Sequence, residues 1–479
     1  MSNFYMPYYI VVMRILWDFT PCIFGFDPVK RGDTNVWANT SMALAATVGS
    51  VVVWMFVKFG KRKLLIIQCC ITLIAIGIQM INNFNSFIIG RVMIGLSFGF
   101  SNTISPIFIR DINPEQNHGP MITLVQLVIN VGFVFSSLIA LFFPPFYRPN
   151  GKVTDYCDPL YGRYVPWREL VGFPAIIALI QLVCLLFIFK REDPQYEEFY
   201  NPTTISIDSA SSTATDTNQG MEMSFNVQST HKRRLTRLER DTWKHMCKKG
   251  EIKKVFSGSI VRFLQQFSGI NLILQFSFFI RLHSENIFFN LHLIVVIFSV
   301  TANFVAMYML KYGKRKPILL TGALIACLAS CILFQTFQEV PFINLSIQAV
   351  GGFANILLMV TVILFAIGFF LTTASVIYVY AAEILTDKGM AISSVVHWGS
   401  HTIIGIIPNF GLTFVRDTKD TIKFHDTLTF YFFFFSGISI AGFFIITIFV
   451  KETKGKTRKE ISQDFRENDF DLLTRSSCK

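Results

Sequence analysis

The sequence predicts an all-α membrane protein in which twelve transmembrane helices form two repeated six-helix halves. Three observations support this prediction. The composition is 52% hydrophobic and only 15% charged, with a mean hydropathy of +0.48, whereas a soluble domain carries about 25% charged residues. Apolar runs long enough to cross a bilayer recur along the chain. Short charged motifs also recur in the same order in both halves.

A transmembrane helix needs roughly 20 apolar residues, and runs of about that length occur twelve times. No small-residue cleavage site follows the first run, so we expect it to be a true membrane helix rather than a removed signal. We number the predicted spans 1 to 12 in chain order: 5–27, 37–57, 64–82, 87–109, 120–143, 166–189, 258–280, 288–310, 317–335, 356–384, 389–414 and 427–450.

The basic residues predict the orientation of the bundle. The chain carries 43 Lys and Arg residues and a net charge of +12. Most of these residues fall in inner loops when both termini are cytoplasmic, as the positive-inside rule requires. The basic surplus then faces the anionic inner leaflet, so we predict membrane lipid and no nucleic acid as a partner. We expect a multi-pass protein of the plasma membrane.

The domain organisation follows from the one long polar interior segment, at 191–257. Its Ser/Thr-rich core and basic end predict a cytoplasmic linker that is partly disordered. The linker separates an N-terminal half at 1–190 from a C-terminal half at 258–451, and a cytoplasmic tail follows at 452–479. One twelve-span unit is complete by itself, so we expect a functional monomer.

Three markers indicate that the two halves arose by duplication. The basic hexapeptide "KFGKRK" after span 2 returns as "KYGKRK" after span 8. An acid follows span 4 and span 10, and another follows span 6 and span 12. Shared order at similar offsets indicates an internal repeat. The four acids are Asp111 in "FIRDINP", Glu383 in "YAAEILT", Glu192 in "REDPQ" and Glu452 in "KETKG".

The same motifs carry a resemblance to a known family. Span 4 contains "GRVMIGLSFGFSNTISPIFIRDINP" at 90–114, span 7 contains "QQFSGIN" at 265–271, and "KETKG" follows span 12. In this order the motifs resemble the sugar porter branch of the major facilitator superfamily, whose two parallel six-helix halves are related by an axis along the membrane normal. The resemblance implies transport of a monosaccharide by alternating access.

Several positions depart from the family pattern. Span 10 reads "ASVIY" at 374–378, without the prolines that the family carries there. Gln275 and Phe276 stand where the family has a pair of tyrosines after the span 7 motif. These departures concern the hinge of span 10 and the selectivity of the site, and they leave the predicted fold unchanged.

Polar side chains within the spans are the candidates for binding a sugar. A ring of hydroxyls on an apolar frame needs neutral donors and acceptors and an aromatic face, and an amide both donates and accepts. For Gln126 alone, substrate binding and a simple helix–helix contact are equally open; the span 7 cluster favours binding. By resemblance, five residues match sugar-contacting positions: Gln126, Gln265, Gln266, Asn271 and Trp398.

The span 7 cluster also predicts a break in its helix. On a regular helix Gln265 and Asn271 would lie about 240° apart and face different sides. Gly269 lies between them and permits local unwinding. We therefore predict an irregular turn near Ser268 and Gly269, of the kind found at midplane sites of transporters.

Charged residues at the predicted inner ends form a second candidate set. The resemblance implies that they pair between helix ends and lock the outward-open state. The alternative is that they only set topology; because acids add little to topology, we favour pairing for the acids. The set comprises Arg62, Asp111 and Glu192 in the first half and Arg315, Glu383 and Glu452 in the second.

Span 1 ends "CIFGFD", so Asp27 lies at its outer end, and Arg91 lies about one turn into span 4. The resemblance implies that this pair couples sugar uptake to protons. A structural ion pair and a surface aspartate are the alternatives, and symport and facilitated diffusion both stay open.

Two classes of function remain after these observations. The first is a carrier of a monosaccharide or another small neutral polyol. The second is a non-transporting sugar sensor on the same fold. No catalytic constellation and no metal-ligand spacing occurs in the spans, so we predict neither an enzyme nor a cofactor.

Overall fold

The computed structural model describes residues 31–142, 167–189, 249–274, 291–339, 353–417 and 421–466. Its secondary structure within these ranges is helical. Span 1, Asp27, Glu192 and the predicted linker up to residue 248 lie outside them. The longer helices of the first half are Arg31–Phe56, Lys61–Gln79, Phe84–Ile112 and His118–Phe142, with Trp167–Gly172 and Pro174–Val183 together forming span 6. Those of the second half are Lys249–Gln266, Leu291–Tyr312, Arg315–Glu339, Phe353–Leu371, Thr373–Ile384, Asp387–Asp417 and Thr421–Phe449.

These helices confirm the predicted membrane fold. Eight helical segments in the described ranges are long and apolar enough to cross a bilayer, and they correspond to spans 3–6, 8–10 and 12. A shorter apolar helix at Thr40–Phe56 corresponds to span 2. Spans 7 and 11 are also helical at their predicted places. Every predicted span for which the structure describes residues is therefore a helix.

Glycines bring spans 2 and 4 into close contact within the first half. A Cβ atom on Gly95 would collide with the carbonyl oxygen of Met42, and one on Gly99 would collide with that of Ala46. Small residues at such positions let helix backbones approach closely, which drives association in lipid. The glycines of span 4 therefore hold the helix that carries the first-half candidate residues against span 2.

The two halves meet along two pairs of helices. Span 2 packs against span 11, and span 5 packs against span 8. At the second contact a Cβ atom on Gly119 would lie 2.5 Å from the carbonyl oxygen of Leu310.

Span 7 begins earlier than its apolar run predicts. The helix starts at Lys249, nine positions before residue 258 and inside the predicted linker. Its first turns are polar but covered: Lys254 donates to Glu251 at 2.7 Å and to Ser462 of the tail at 2.6 Å. The tail helix Arg458–Arg466 supplies this cover and buries Ile461 and Phe465 on one face. Hydropathy misses this start because the helix extends beyond the bilayer.

Span 10 is broken although it contains no proline at its centre. One helix ends at Leu371 and the next begins at Thr373. Thr372 between them has φ −112° and ψ −83°, and its hydroxyl donates to the carbonyl of Gly368 at 2.6 Å. Gly322 of span 9 lies against this point: a Cβ there would lie 2.5 Å from the Thr372 hydroxyl. Threonine back-bonding is known to bend helices, which accounts for the interruption of span 10 at Thr372 without a proline.

Candidate transport site and inner gate

The predicted break in span 7 is confirmed. The helix ends at Gln266, and Gly269 adopts a φ of +88°, which residues with a Cβ rarely reach. The hydroxyl of Ser268 donates to the carbonyl of Gln265 at 2.8 Å, beside a longer backbone hydrogen bond from the Ser268 N–H at 3.4 Å. Helical backbone resumes at Ile270. The break changes the direction in which the residues after it face.

As a result, Gln266 and Asn271 belong to one polar cluster with two histidines of span 11. Asn271 donates from Nδ2 to the side-chain oxygen of Gln266 at 2.8 Å. His401 Nδ1 lies 3.1 Å from the same oxygen, and the Gln266 side-chain nitrogen lies 3.1 Å from Nε2 of His397. The hydrogen bonds of the cluster therefore hold both the oxygen and the nitrogen of the Gln266 side-chain amide.

Two further candidates border this cluster and retain free polar atoms. Among the described residues, neither Oε1 of Gln265 nor Nε1 of Trp398 has a hydrogen-bond partner, although both atoms are buried. The Trp398 ring lies 6.4 Å from Phe98 of span 4, across the boundary between the halves. Buried polar atoms are nearly always paired. The acceptor of Gln265 and the donor of Trp398 are therefore candidates for hydrogen bonds to a ligand beside an aromatic surface.

Gln126 lies in span 5 and donates to Oδ1 of Asn130, one turn further on, at 3.1 Å. Nδ2 of Asn130 has no partner in the part of the chain that the structure describes. This hydrogen bond of the Gln126 amide lies within one helix. It therefore does not join span 5 to another span. Asn130 is therefore an additional candidate donor to a ligand, which the sequence analysis missed.

The two histidines were also missed. His397 and His401 are spaced i, i+4 on span 11 and flank Trp398, whose ring lies 5.2 Å and 5.5 Å from theirs. Residues at this spacing share a helix face. The pattern "HWGSH" around a predicted aromatic contact was the signal that would have found them.

The charged residues of the second-half set lie together in the structure. Nη2 of Arg315 donates to Glu383 at 2.8 Å. The carboxylate of Glu452 accepts from the backbone N–H groups of Arg315 and Lys316 at 2.9 Å and 3.1 Å, at the start of span 9. Thr453 donates to Glu383 at 2.6 Å. Spans 9, 10 and 12 are therefore tied at their inner ends.

The first-half set is arranged differently. Asp111 pairs with Lys61, not with Arg62. Arg62 instead donates to the carbonyls of Leu185 and Leu186, at the end of span 6, at 2.9 Å and 3.3 Å. Lys61 was not in the set that the sequence analysis selected for pairing. Its shorter donor reaches span 4, whereas the longer guanidinium of Arg62 reaches the free carbonyls at a helix end.

Two residues that the sequence analysis did not select extend this set across the halves. Arg110 donates to the carbonyls of Ala382 and Leu385 at 2.8 Å and 3.2 Å. Asp387, at the start of span 11, accepts from Arg110 at 3.2 Å and pairs with Lys61 at 3.0 Å. The halves are therefore in contact at the end of the bundle that the sequence predicts to be cytoplasmic, which we call the inner end.

Of the candidate coupling pair, Arg91 is buried in span 4, with 2% of its surface exposed. Asp27 lies outside the described residues. Their contact thus remains a prediction.

Two repeated helical halves, joined at the inner end over a polar cluster on a broken helix, define the class of membrane transporters that work between two half-bundles. The family model described as "Sugar (and other) transporter" matches residues 29–465. The chain belongs to this family. It is an integral multi-pass transporter and not an enzyme.

The chain is similar to curated sugar carriers. It is 24% identical to Hexose transporter 1 of Plasmodium vivax (strain Brazil I), over 95% of this chain and 89% of that protein. It is 23% identical to the galactose-proton symporter of Escherichia coli (strain K12), over 78% and 75% of the two chains. Among solved structures, the proton:xylose symporter XylE bound to 6-bromo-6-deoxy-D-glucose superposes with a TM-score of 0.73 at 17% identity, covering 97% of each chain.

Proposed function

We propose that this protein moves a monosaccharide across the membrane by alternating access. The observation that carries the proposal is the polar cluster at the break of span 7, beside which Gln265 and Trp398 hold buried polar atoms that have no partner among the described residues. A solute hydroxyl can donate to the first and accept from the second. The hexose and galactose carriers named above support the choice of substrate.

In this proposal the polar cluster binds the solute first, and the contacts between the halves at the inner end open afterwards. Solute hydroxyls replace the missing partners of Gln265, Trp398 and Asn130, which lie on both halves. Release to the inner side then requires that the contacts of Arg110 and Lys61 with the second half break. The gating roles of the charged residues are part of the same proposal: Asp111 belongs to the contact that opens, and Arg315, Glu383 and Glu452 keep the inner ends of spans 9, 10 and 12 together.

Uptake by the purified protein in lipid vesicles tests the proposal. We expect saturable uptake of a labelled hexose and loss of most binding in Gln265→Ala, because the solute hydroxyl loses its acceptor. Leaving such a group unpaired costs about 1–3 kcal/mol, or roughly 5- to 150-fold in affinity. Gln116→Ala removes an exposed amide from the short 3-10 helix Glu115–Asn117 and is the matched control.

Wild-type affinity in Gln265→Ala would show that span 7 does not line the site. Sugar binding without any uptake would instead identify a sensor on this fold. Preference for an acyclic polyol over every hexose would replace the monosaccharide by the broader solute class.

We infer that uptake is coupled to protons through Asp27 and Arg91. The support is the match to the family motif, the burial of Arg91, and the similarity to two proton symporters. Asp27→Asn should abolish accumulation against a gradient and preserve exchange. Accumulation that survives both Asp27→Asn and a proton uncoupler would refute the coupling.

We also propose that the protein acts as a monomer surrounded by lipid in the plasma membrane, with both termini cytoplasmic. The basic inner loops support this orientation. Protease protection of tags at the two termini of intact cells tests it.

A further inference from the structure

Arg262 of span 7 is a charged residue that the proposed transport of a neutral sugar does not use. It lies three residues before Gln265, which places it about 4.5 Å nearer the inner end and close to the same helix face. Its exposed fraction is 0%, and it is among the largest fully buried side chains. A cation buried in a membrane span is costly and usually marks a functional site.

The guanidinium has no carboxylate partner among the described residues. Nη1 donates to the hydroxyl of Ser394 at 2.8 Å, and Nη2 lies 3.1 Å from the sulfur of Met390. The ring of Tyr378 lies 5.5 Å from the guanidinium carbon. A neutral hydroxyl, a thioether and a ring face leave the positive charge without a counter-ion, although buried charges are normally paired.

One edge of the guanidinium has no strong acceptor among the described residues. Nε of Arg262 has no hydrogen-bond partner within the described ranges, and Nη2 on the same edge has only the weakly accepting Met390 sulfur. A carboxylate accepts two parallel hydrogen bonds from such an edge. Among the described residues, Nε and Nη2 of Arg262 therefore have no strong acceptor, and these two donors are the ones that would bind a carboxylate.

Arg262 lies close to a contact between the two halves. The Tyr378 hydroxyl accepts from Asn102 of span 4 at 3.3 Å, which joins the two halves beside the guanidinium. Oδ1 of Asn102 has no partner in the described part of the chain. A solute bound at Gln265 thus lies one turn from an uncompensated cation and next to a further free acceptor.

We propose that Arg262 binds the carboxylate of an acidic monosaccharide, such as a hexuronate, while the amides of span 7 bind its hydroxyls. This inference rests on the proposed function and narrows its substrate class. The ligand supplies the missing negative charge, so the occupied site is neutral overall. A neutral hexose meets the same hydroxyl partners but leaves the guanidinium unpaired.

The test uses D-glucuronate, its uncharged analogue D-glucuronamide, and D-glucose, with the full chain in lipid vesicles at pH 7. Competition against labelled glucuronate gives the affinity of each. We expect glucuronate to bind at least tenfold more tightly than glucuronamide. Arg262→Gln should remove this preference and change glucuronamide affinity less than threefold, and Arg262→Lys should keep an intermediate preference because it keeps the charge but not the fork.

Each outcome decides the inference. Equal or weaker binding of glucuronate than glucuronamide in the wild type overturns it, as does an unchanged preference in Arg262→Gln. If Arg262→Gln does not fold, the wild-type ratio and Arg262→Lys decide. Glucose uptake without any glucuronate preference refutes the acidic substrate and leaves the proposed function standing, whereas absence of uptake for all three refutes both.

Discussion

The two copies of the basic hexapeptide hold different parts of the bundle. In the second half, Arg315 pairs with Glu383 of the same half at 2.8 Å. In the first half, Lys61 pairs with Asp111 and also with Asp387 of the opposite half. Equivalent sequence therefore forms a joint within one half and a contact between halves.

The chemistry of the two sites explains the difference. Arg315 donates to two carbonyls as well as to Glu383, and only 2% of its surface is exposed. A guanidinium with five fixed donors suits such a permanent joint. Lys61 presents a compact ammonium that can leave its partners and be hydrated again. We expect the second-half cluster to persist through the transport cycle and the first-half cluster to open.

Loss of the buried joint should have the largest effect. Arg315→Ala leaves Glu383 buried without its counter-charge, and breaking a buried pair costs about 3–5 kcal/mol. The matched change Arg62→Ala, at the equivalent place in the repeat, removes donors from the carbonyls of Leu185 and Leu186, while Asp111 keeps its pairing with Lys61 and Arg110. Thermal unfolding of the purified protein should show a much lower midpoint for Arg315→Ala. Equal midpoints would mean that the two copies are alike.

Loss of the contact between the halves should make the inner end of the bundle open more often, with little change in the stability of the fold. Asp387→Asn weakens the pairing of Lys61 and Arg110 with the second half, and a hydrogen bond to a charged group contributes about 1.5–3 kcal/mol. Amide exchange at the inner ends of spans 4 and 10 should rise roughly tenfold, because these ends then open more often. Glu383→Gln, which changes an acid within one half, is the matched comparison. A larger rise in Glu383→Gln would reverse the assignment of joint and contact.

A smaller effect should follow from crowding the place where the first half touches the second-half cluster. A Cβ on Gly119 would lie 2.5 Å from the carbonyl of Leu310 and 3.0 Å from Nη2 of Arg315. Overpacking of this kind costs about 1–3 kcal/mol, so Gly119→Ala should lower the unfolding midpoint. Gly437→Ala, where a Cβ meets nothing within 4 Å, should not. A neutral Gly119→Ala would show that this contact separates during the cycle.

The sequence was sufficient for features that arise from local composition. The positions of the spans follow from runs of apolar residues because a bilayer demands them. The break in span 7 was predictable because Gly269 stands between polar residues that a regular helix would separate. The acids after spans 4, 10 and 12 were predictable from the repeat and the family motifs.

Other features depend on which helices become neighbours. The break in span 10 occurs without proline, at a threonine that packs against Gly322 of a different span. The choice of Lys61 over Arg62 depends on the distance to Asp111 and to the end of span 6. The histidines beside Gln266 became visible only when span 11 was placed against span 7.

The sequence by itself determined the class of protein, the repeated halves and most of the polar candidates, because lipid imposes a length and a polarity on each helix. Only the tertiary structure decided which charges are paired. Pairing depends on distances of a few ångströms between residues far apart in the chain, such as Arg110 and Asp387. For the same reason the sequence placed Arg262 within a span, but only the packing of spans 7, 10 and 11 around it left its charge without a carboxylate partner among the described residues.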